Sequence, residues 1–285
     1  MTRIAEYRAT LKSLAEWEPF LLANSGLPGP RGNLELAQAV ADEGSEEQFR
    51  RWLALGPDQA PVNSPEEFLA FCGILGLGTL LAGAGDRSTE KPRPMVDGSP
   101  ASPQTARDSA VAGQVSSIAG PTSADPILRT LRYFAADPRW RSREAVAMAL
   151  QRWGDADMEA LLRAMAEWSH GSPWEQRAAA AALCEPRLLV NPDHAAATLH
   201  ILDTITASLS QNEARKSEAF RVLRQGLGYC WSVAVAAYPE EGKPLMEKWC
   251  AVRDPDIRWV MRENLRKNRL VRMDPDWSAR WLVVV

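Results

Sequence analysis

The sequence predicts an all-α fold, a right-handed α-solenoid in which pairs of helices stack along the chain. Two observations support this prediction. Apolar residues recur at helical spacing over nearly the whole length, and a short sequence pattern that begins with arginine, here called the frame, occurs four times in the second half. Only the apolar tail, residues 281–285, has the composition of a strand, and we interpret it as a plug or a partner contact rather than as part of a sheet.

The N-terminal third contains several helix signals. Residues 4–23 predict one helix that ends before Gly26, because one face collects the apolar residues Tyr7, Leu11, Leu14, Trp17 and Leu21. Asn33 predicts the start of the next helix, and Ser45-Glu-Glu-Gln48 has the form of a capping box. Ser64-Pro65 is typical of a further helix start, since serine caps the free amides and proline fits the first turn.

Residues 68–85 form an apolar segment without a single charged residue. A run of this length is near the lower limit for a membrane span. It contains Gly73, Gly76 and Gly78, however, and no cluster of lysine or arginine precedes it. We therefore predict a buried helix whose small residues let neighbouring helices come close, and we expect no membrane contact.

Residues 86–124 differ from the rest of the chain. They are rich in serine, glycine and alanine, have few large apolar residues and contain Pro92, Pro94, Pro100, Pro103 and Pro121. Such a composition buries too little apolar surface to offset the entropy of folding. The sequence therefore predicts a flexible, disordered insertion between an N-terminal helical part, residues 1–85, and a C-terminal helical part, residues 125–285.

The C-terminal part predicts repeated helical pairs. Arginine opens each frame at Arg143, Arg177, Arg215 and Arg258, at separations of 34, 38 and 43 residues. Two of the frames follow an Asp-Pro pair, at Asp137 and Asp254. The first helix of the first pair has one apolar stripe (Val146, Ala149, Leu150 and Trp153), and the second helix has another (Met158, Leu161, Leu162 and Met165). Neither helix can bury its stripe alone, but stacked neighbours can.

These units resemble HEAT repeats, whose frame is an Asp-Pro-like turn followed by an apolar-Arg pair and an alanine-rich run that ends in leucine. More narrowly, residues 126–270 are similar to the HEAT-like DNA alkylation repair glycosylases of the AlkD type. The similarity rests on Trp174-Glu-Gln-Arg177-Ala-Ala and on Leu223-Arg-Gln-Gly-Leu-Gly-Tyr-Cys-Trp231. The resemblance implies a helical-repeat fold, and it implies DNA binding with base-glycosylase activity as an alternative function.

Charge is unevenly distributed along the chain. The formal net charge is −3, which argues against a dedicated nucleic-acid binder. Residues 1–83 carry a net −5, from 6 basic and 11 acidic residues, whereas residues 126–285 carry a net +3, from 23 basic and 20 acidic residues. We therefore expect any contact with a polyanion to involve the second half.

Basic and aromatic residues of the second half are the candidates for nucleic-acid binding. The predicted terminal helix has Arg258, Arg262, Arg266 and Arg269 on one face, where they could bind phosphates or simply form a solvated capping surface. Arg143 and Arg177 from the earlier frames, together with Trp140 and Trp231, complete this set, in which the tryptophans could stack on bases or pack between repeats. Arg139, Arg141 and Arg143 around Trp140 form the clearest basic-aromatic cluster.

Catalytic chemistry finds no support in the residue pattern. No serine lies in a nucleophile-elbow context, no histidine pairs with a carboxylate at a suggestive spacing, and we predict no metal and no cofactor. The four cysteines (Cys72, Cys184, Cys230 and Cys250) are far apart in the chain, as expected for buried free thiols of a reducing cytoplasm. The favoured function is a scaffold that binds a protein or peptide on a concave surface, and DNA binding is the alternative hypothesis.

Overall fold

A computed structural model describes residues 2–88 and 124–285. Within these two ranges the chain forms fifteen α-helices and one short 3₁₀ helix, and no strand is present. The prediction of an all-α fold is therefore confirmed. Residues 86–88 complete one helix and residue 124 opens the next, and the remainder of the predicted insertion, residues 89–123, lies outside the described residues.

Five helices form the N-terminal part: α1 (Arg3–Ser13), α2 (Glu18–Asn24), α3 (Leu34–Glu43), α4 (Glu46–Leu53) and α5 (Pro65–Ser88). Ten follow in the C-terminal part: α6 (Ala124–Phe134), α7 (Trp140–Ala156), α8 (Met158–Trp168), α9 (Pro173–Leu183), α10 (Pro192–Gln211), α11 (Glu218–Ala237), α12 (Pro239–Cys250), α13 (Pro255–Leu265), α14 (Asn268–Met273) and α15 (Pro275–Leu282). The 3₁₀ helix Pro186–Leu189 lies between α9 and α10.

Alternate helices pack side by side into a first row. In this row α3 contacts α5, α5 contacts α7, and the series continues through α9 and α11 to α13. A second layer packs behind it, where α8 contacts α10 and α10 contacts α12. One apolar core runs between the layers from Leu11 to Val285. The predicted stripes of α7 and α8 both face this core, because all eight of their residues are buried.

Helix α5 is the most enclosed element of the first row. Its span Pro65–Ala84 is long and apolar enough to cross a membrane, with a mean hydropathy of 1.7, but 78% of it is buried within the protein, as the core helix of a globular fold would be. Gly73, Gly76 and Gly78 lie at close helix contacts, as predicted. A Cβ at Gly76 would lie 2.4 Å from the Phe49 ring on α4, and one at Gly78 would lie 2.3 Å from the carbonyl oxygen of Ala149 on α7.

The predicted helix starts are confirmed. Asn33 caps α3 by accepting the amide of Leu36 at 3.1 Å. Both halves of the Ser45–Gln48 capping box are present, at 2.9 and 3.2 Å. All four cysteines are buried free thiols.

Two predicted long helices are broken. Residues 4–23 form α1 and α2 rather than one helix. The backbone becomes extended at Leu14, and Pro19 lies in the first turn of α2, because a proline inside one continuous helix would clash with the carbonyl group four residues before it. The predicted terminal helix also divides, since α13 ends at Leu265 and α14 begins at Asn268. The side chains of α14 therefore do not continue the face of α13. In both places the apolar periodicity continued across a break in the backbone.

Candidate functional site

A pocket of about 200 Å³ opens at the N-terminal end of the first row. It is formed by the loop before α3, the first turns of α5 and the exposed side of α7. Its lining is mostly apolar, contributed by Leu27, Leu34, Phe68, Phe71, Trp140 and Met148, with Gly32 and the charged residues Arg31, Arg141 and Glu144. Concave, mostly apolar surfaces with a few placed polar groups are typical of binding sites in proteins.

A buried ion pair stands beside this pocket. Nη1 of Arg141 lies 3.0 Å from Oε2 of Glu67, and the two side chains are 7% and 0% exposed. Nη2 of Arg141 also donates to the carbonyl oxygen of Gly29 at 2.7 Å and to Oδ1 of Asn63 at 3.3 Å. The network thus joins α7 to the loop before α3, the loop before α5 and α5 itself. It fixes the three segments that form the pocket.

The hydrogen-bonding capacity of this pair is not fully used. Within the described ranges, Nε of Arg141 and Oε1 of Glu67 are buried and have no hydrogen-bond partner. A buried polar atom without a partner costs about 1–3 kcal/mol, so native proteins usually satisfy it with a protein group, a water or a ligand. Arg141 also lines the pocket, but its Nε has no accessible surface and is therefore not exposed to the cavity.

Trp140 and Arg31 form the accessible rim of the pocket. The indole of Trp140 is stacked on the guanidinium of Arg141, with 4.5 Å between the ring centroid and Cζ, and the residue is 46% exposed. The Arg31 side chain is 67% exposed and lies 4.0 Å from Glu35. The pocket therefore has a flat aromatic edge and an exposed cation where a ligand would enter.

Two arginines on opposite flanks of α7 reach across the neighbouring helices. Arg152 donates to Gln38 at 2.8 Å and also pairs with Asp42, so it links α7 to α3. Arg143 lies 3.7 Å from Glu218, which links α7 to α11. We call the outward-facing surface of α7 between them, which carries Trp140, Glu144 and Met148, the bridged face.

The predicted basic-aromatic cluster is mostly internal. Arg139 is buried, pairs with Asp137 at 2.7 Å and donates to the carbonyl oxygens of Leu55 and Ala60. Arg143 donates to the carbonyl oxygen of Asp137 at 2.7 Å, and burial lowers the pKa of its guanidinium below the ordinary value despite the opposing effect of Glu218. The arginines of this cluster hold the turn before α7, and only Trp140 presents a large surface to solvent.

Trp231, one of the residues predicted to bind nucleic acid, is a core residue. Its side chain is fully buried, and Nε1 donates to Oγ1 of Thr206 at 2.9 Å. Arg177 is engaged as well, since it donates to the carbonyl oxygen of Arg143 at 3.0 Å and pairs with Glu144. The structure therefore brings Arg143 and Arg177 together, but in contacts that hold α7 against α9.

The four arginines predicted on one terminal helix lie in different surroundings. Arg258 donates to the carbonyl oxygen of Val284 at 2.8 Å, and Arg262 donates to the backbone oxygen of Val285. Arg266 follows the end of α13 and lies 3.5 Å from Glu263. Arg269 belongs to α14, where it stacks on Tyr229 with 4.6 Å between Cζ and the ring centroid. The backbone of the tail, residues 283–285, thus accepts hydrogen bonds from two of the arginines predicted to bind phosphate. The tail therefore contacts the chain itself.

The Asp-Pro turn before α13 is held by the arginine of the preceding frame. Nη2 of Arg215 lies 2.6 Å from Oδ2 of Asp254, whose side chain also caps α13 by accepting the amides of Asp256 and Ile257. Burial would raise the pKa of Asp254, but the hydrogen bonds from Arg215 and the two amides outweigh it, so the pKa lies below the ordinary value of 3.8. The carboxylate form of Asp254 therefore stabilises the fold.

The Asp254→Asn variant is expected to lose less stability than the parent when the pH falls. Because the pKa of Asp254 is lowered in the folded state, its contribution is complete above 3.8 and declines as the pH falls through that value toward the folded-state pKa. At pH 7 the variant should be less stable by about 1–2 kcal/mol, from the weakened cap and charge-assisted bonds. Urea unfolding at pH 7 and pH 3 measures both effects. Asp276→Asn, at the exposed start of α15, is the control, and equal pH dependence in all three proteins would contradict the assignment.

The sequence identified two residues of the pocket, Trp140 and Arg141, as part of a basic-aromatic cluster, but not the others. Leu27, Arg31 and Phe71 lie in three separate segments, each typical of an ordinary turn or core sequence. A further signal is the charge of Glu67, which lies in the first turn of an apolar helix and is fully buried. In comparisons with known proteins, no family model, no curated protein and no solved structure matches the chain.

Proposed function

We propose that this protein is a HEAT-like interaction scaffold that binds a protein or peptide on its bridged face, with an apolar side chain of the partner held in the pocket beside Trp140. The observation that carries the proposal is the pocket itself. Its volume of about 200 Å³ is below the range typical of cofactor and drug-sized ligand sites, and suits one large side chain. Exposed tryptophan beside an apolar pocket is typical of the residues that dominate binding energy at interfaces.

The arginine bridges support a concave shape for this face. Helices that pack side by side have axes about 8–10 Å apart, so alternate helices of a flat row are separated by roughly twice that distance with a helix between them. Contacts from α7 to α3 and from α7 to α11 are easiest when the row curves toward the bridged face. A right-handed solenoid of HEAT-like pairs is the architecture that we propose for this row.

The proposal includes a location in the cytoplasm. Four buried thiols without a disulfide suit a reducing compartment. Disulfides do not persist there, so a fold of this size is stabilised by its apolar core. We propose no catalytic role and no cofactor, because two of the three charged residues that line the pocket, Arg141 and Glu144, are engaged in structural ion pairs, and the third, Arg31, is exposed at the rim.

DNA binding is the second candidate function, and one observation favours it. Within the described ranges, several cations of the C-terminal part form no salt bridge: Arg221, Lys267, Arg269 and Arg272. Such cations could hold phosphates. The engagement of Arg258 and Arg262 by the tail, and the burial of Trp231, favour the protein-binding proposal instead.

Selection from a random peptide display library tests the proposed function. The full chain should enrich peptides that share one large apolar residue, and Trp140→Ala should weaken their binding about tenfold or more, as truncation of a central interface aromatic does. Tyr133→Ala removes an exposed aromatic on α6 outside the pocket and is the matched control. Enriched peptides that bind both variants equally well would reject the pocket as the site. Salt-sensitive binding of duplex DNA, without any peptide enrichment, would support the second candidate.

A further inference from the structure

We infer that the partner group held in the pocket is a chain end, the C-terminal residue of a peptide with a large apolar side chain and a free carboxylate. The inference rests on the proposed function and adds the chemistry of the ligand. It follows from the charges around the pocket, the exposed Trp140 at its rim and the position of the pocket on the bridged face.

The charges nearest the pocket leave one cation available. Glu67 is committed to Arg141, and Glu144 is committed to Arg177, so these four residues form two neutral pairs. Arg31 remains at the rim, where its contact with Glu35 is 4.0 Å long and lies in solvent. Exposed pairs of this kind contribute little to stability and exchange partners readily. A ligand with an anionic group beside its apolar part can therefore pair with Arg31.

The indole of Trp140 forms the aromatic side of the same entrance. It is stacked on the guanidinium of Arg141 and is 46% exposed, so a side chain that enters the pocket contacts its ring. The fluorescence of Trp140 should therefore change when the pocket is filled.

A chain end combines the apolar side chain and the anionic group within one residue. The C-terminal residue of a peptide has its carboxylate one bond from the carbon that bears the side chain, so the side chain enters the pocket while the carboxylate stays at the rim near Arg31. An internal residue would place two neutral peptide groups there instead. Toward α9 the bridged face leads to Arg177 and the half-buried Trp174, which offer contacts for the preceding residues of the peptide.

Three matched probes test the inference by calorimetry on the full chain: the peptide acetyl-Gly-Gly-Phe with a free C-terminal carboxylate, the same peptide as its C-terminal amide, and 3-phenylpropionate. The free acid should bind roughly tenfold or more tightly than the amide, which is the size of a charge-assisted hydrogen bond. Arg31→Gln should remove this preference and leave binding of the amide unchanged. Arg129→Gln, an exposed arginine on α6 away from the pocket, is the control and should preserve the preference.

The outcomes separate this inference from the proposed function. Equal binding of acid and amide, or a preference that survives Arg31→Gln, overturns the recognition of a carboxylate while leaving the peptide scaffold intact. Binding of 3-phenylpropionate as tight as that of the peptide acid overturns the chain end in favour of a small apolar acid. No binding of any probe also overturns the inference, whereas the proposed function is decided separately by whether Trp140→Ala weakens the peptides selected from the library.

Discussion

Replacement of Gly78 by alanine is expected to destabilise the protein by about 3 kcal/mol or more, because overpacking at a rigid contact forces the backbone to move. The added Cβ would lie 2.3 Å from the carbonyl oxygen of Ala149 and 2.8 Å from its Cα, so no side-chain rotation can relieve the clash. Helices α5 and α7 would have to separate along a buried contact. Chemical denaturation, monitored by circular dichroism, measures the change in the free energy of unfolding.

Gly83→Ala is the matched control in the same helix. A Cβ at Gly83 would meet nothing within 4 Å, so this substitution should raise the free energy of unfolding by up to about 1 kcal/mol through the better helix propensity of alanine. Opposite signs at the two glycines are the expected result. A Gly78→Ala protein as stable as the parent would show that α5 and α7 are not in the close contact described above.

Arg141→Met is expected to lower the free energy of unfolding by about 3–5 kcal/mol, because it leaves the buried carboxylate of Glu67 without its cation. Glu67 is 0% exposed, and its remaining partner is the amide of Asn63 at 2.7 Å. The double variant Glu67→Met/Arg141→Met should recover much of the loss, since two apolar side chains of similar length remove the uncompensated charge. Chemical denaturation of the parent, the two single variants and the double variant completes a double-mutant cycle.

The cycle should yield a large favourable coupling energy between the two residues. Additive single effects would mean that Arg141 acts through its bonds to Gly29 and Asn63 rather than through Glu67. Arg50→Met, which breaks an exposed pair with Glu46 within α4, is the control for loss of a surface ion pair and should cost less than about 1 kcal/mol.

Local signals predicted much of the helical structure. The Ser45–Gln48 capping box and the Asn33 cap depend only on neighbours three residues away, and both are present. The burial of Val146 and Leu161 follows from helical periodicity, which needs no knowledge of the partner helix. The break between α1 and α2 could also have been predicted from the sequence, because Pro19 lies within the predicted span and proline fits the first turn of a helix but not its interior.

The site could not be predicted in the same way, because its residues come together only after the helices pack. The arginines around Trp140 illustrate the difficulty. In the sequence Arg139, Trp140, Arg141 and Arg143 read as one basic surface, but in the fold the three arginines point to internal carbonyl and carboxylate groups, and the tryptophan faces out. Consecutive residues of a helix point in different directions, so a cluster in sequence does not make a cluster in space.

The arginine bridges have a consequence for how the protein unfolds. In an ideal repeat array each unit contacts only its neighbours, so stability is a sum of nearest-neighbour terms and units at the ends can melt independently. Arg152 and Arg143 add couplings that skip one helix, from α7 back to α3 and forward to α11. We therefore expect loss of α7 to weaken helices on both sides that it does not directly adjoin. These next-nearest couplings should make unfolding of the first row more cooperative than that of a simple linear array.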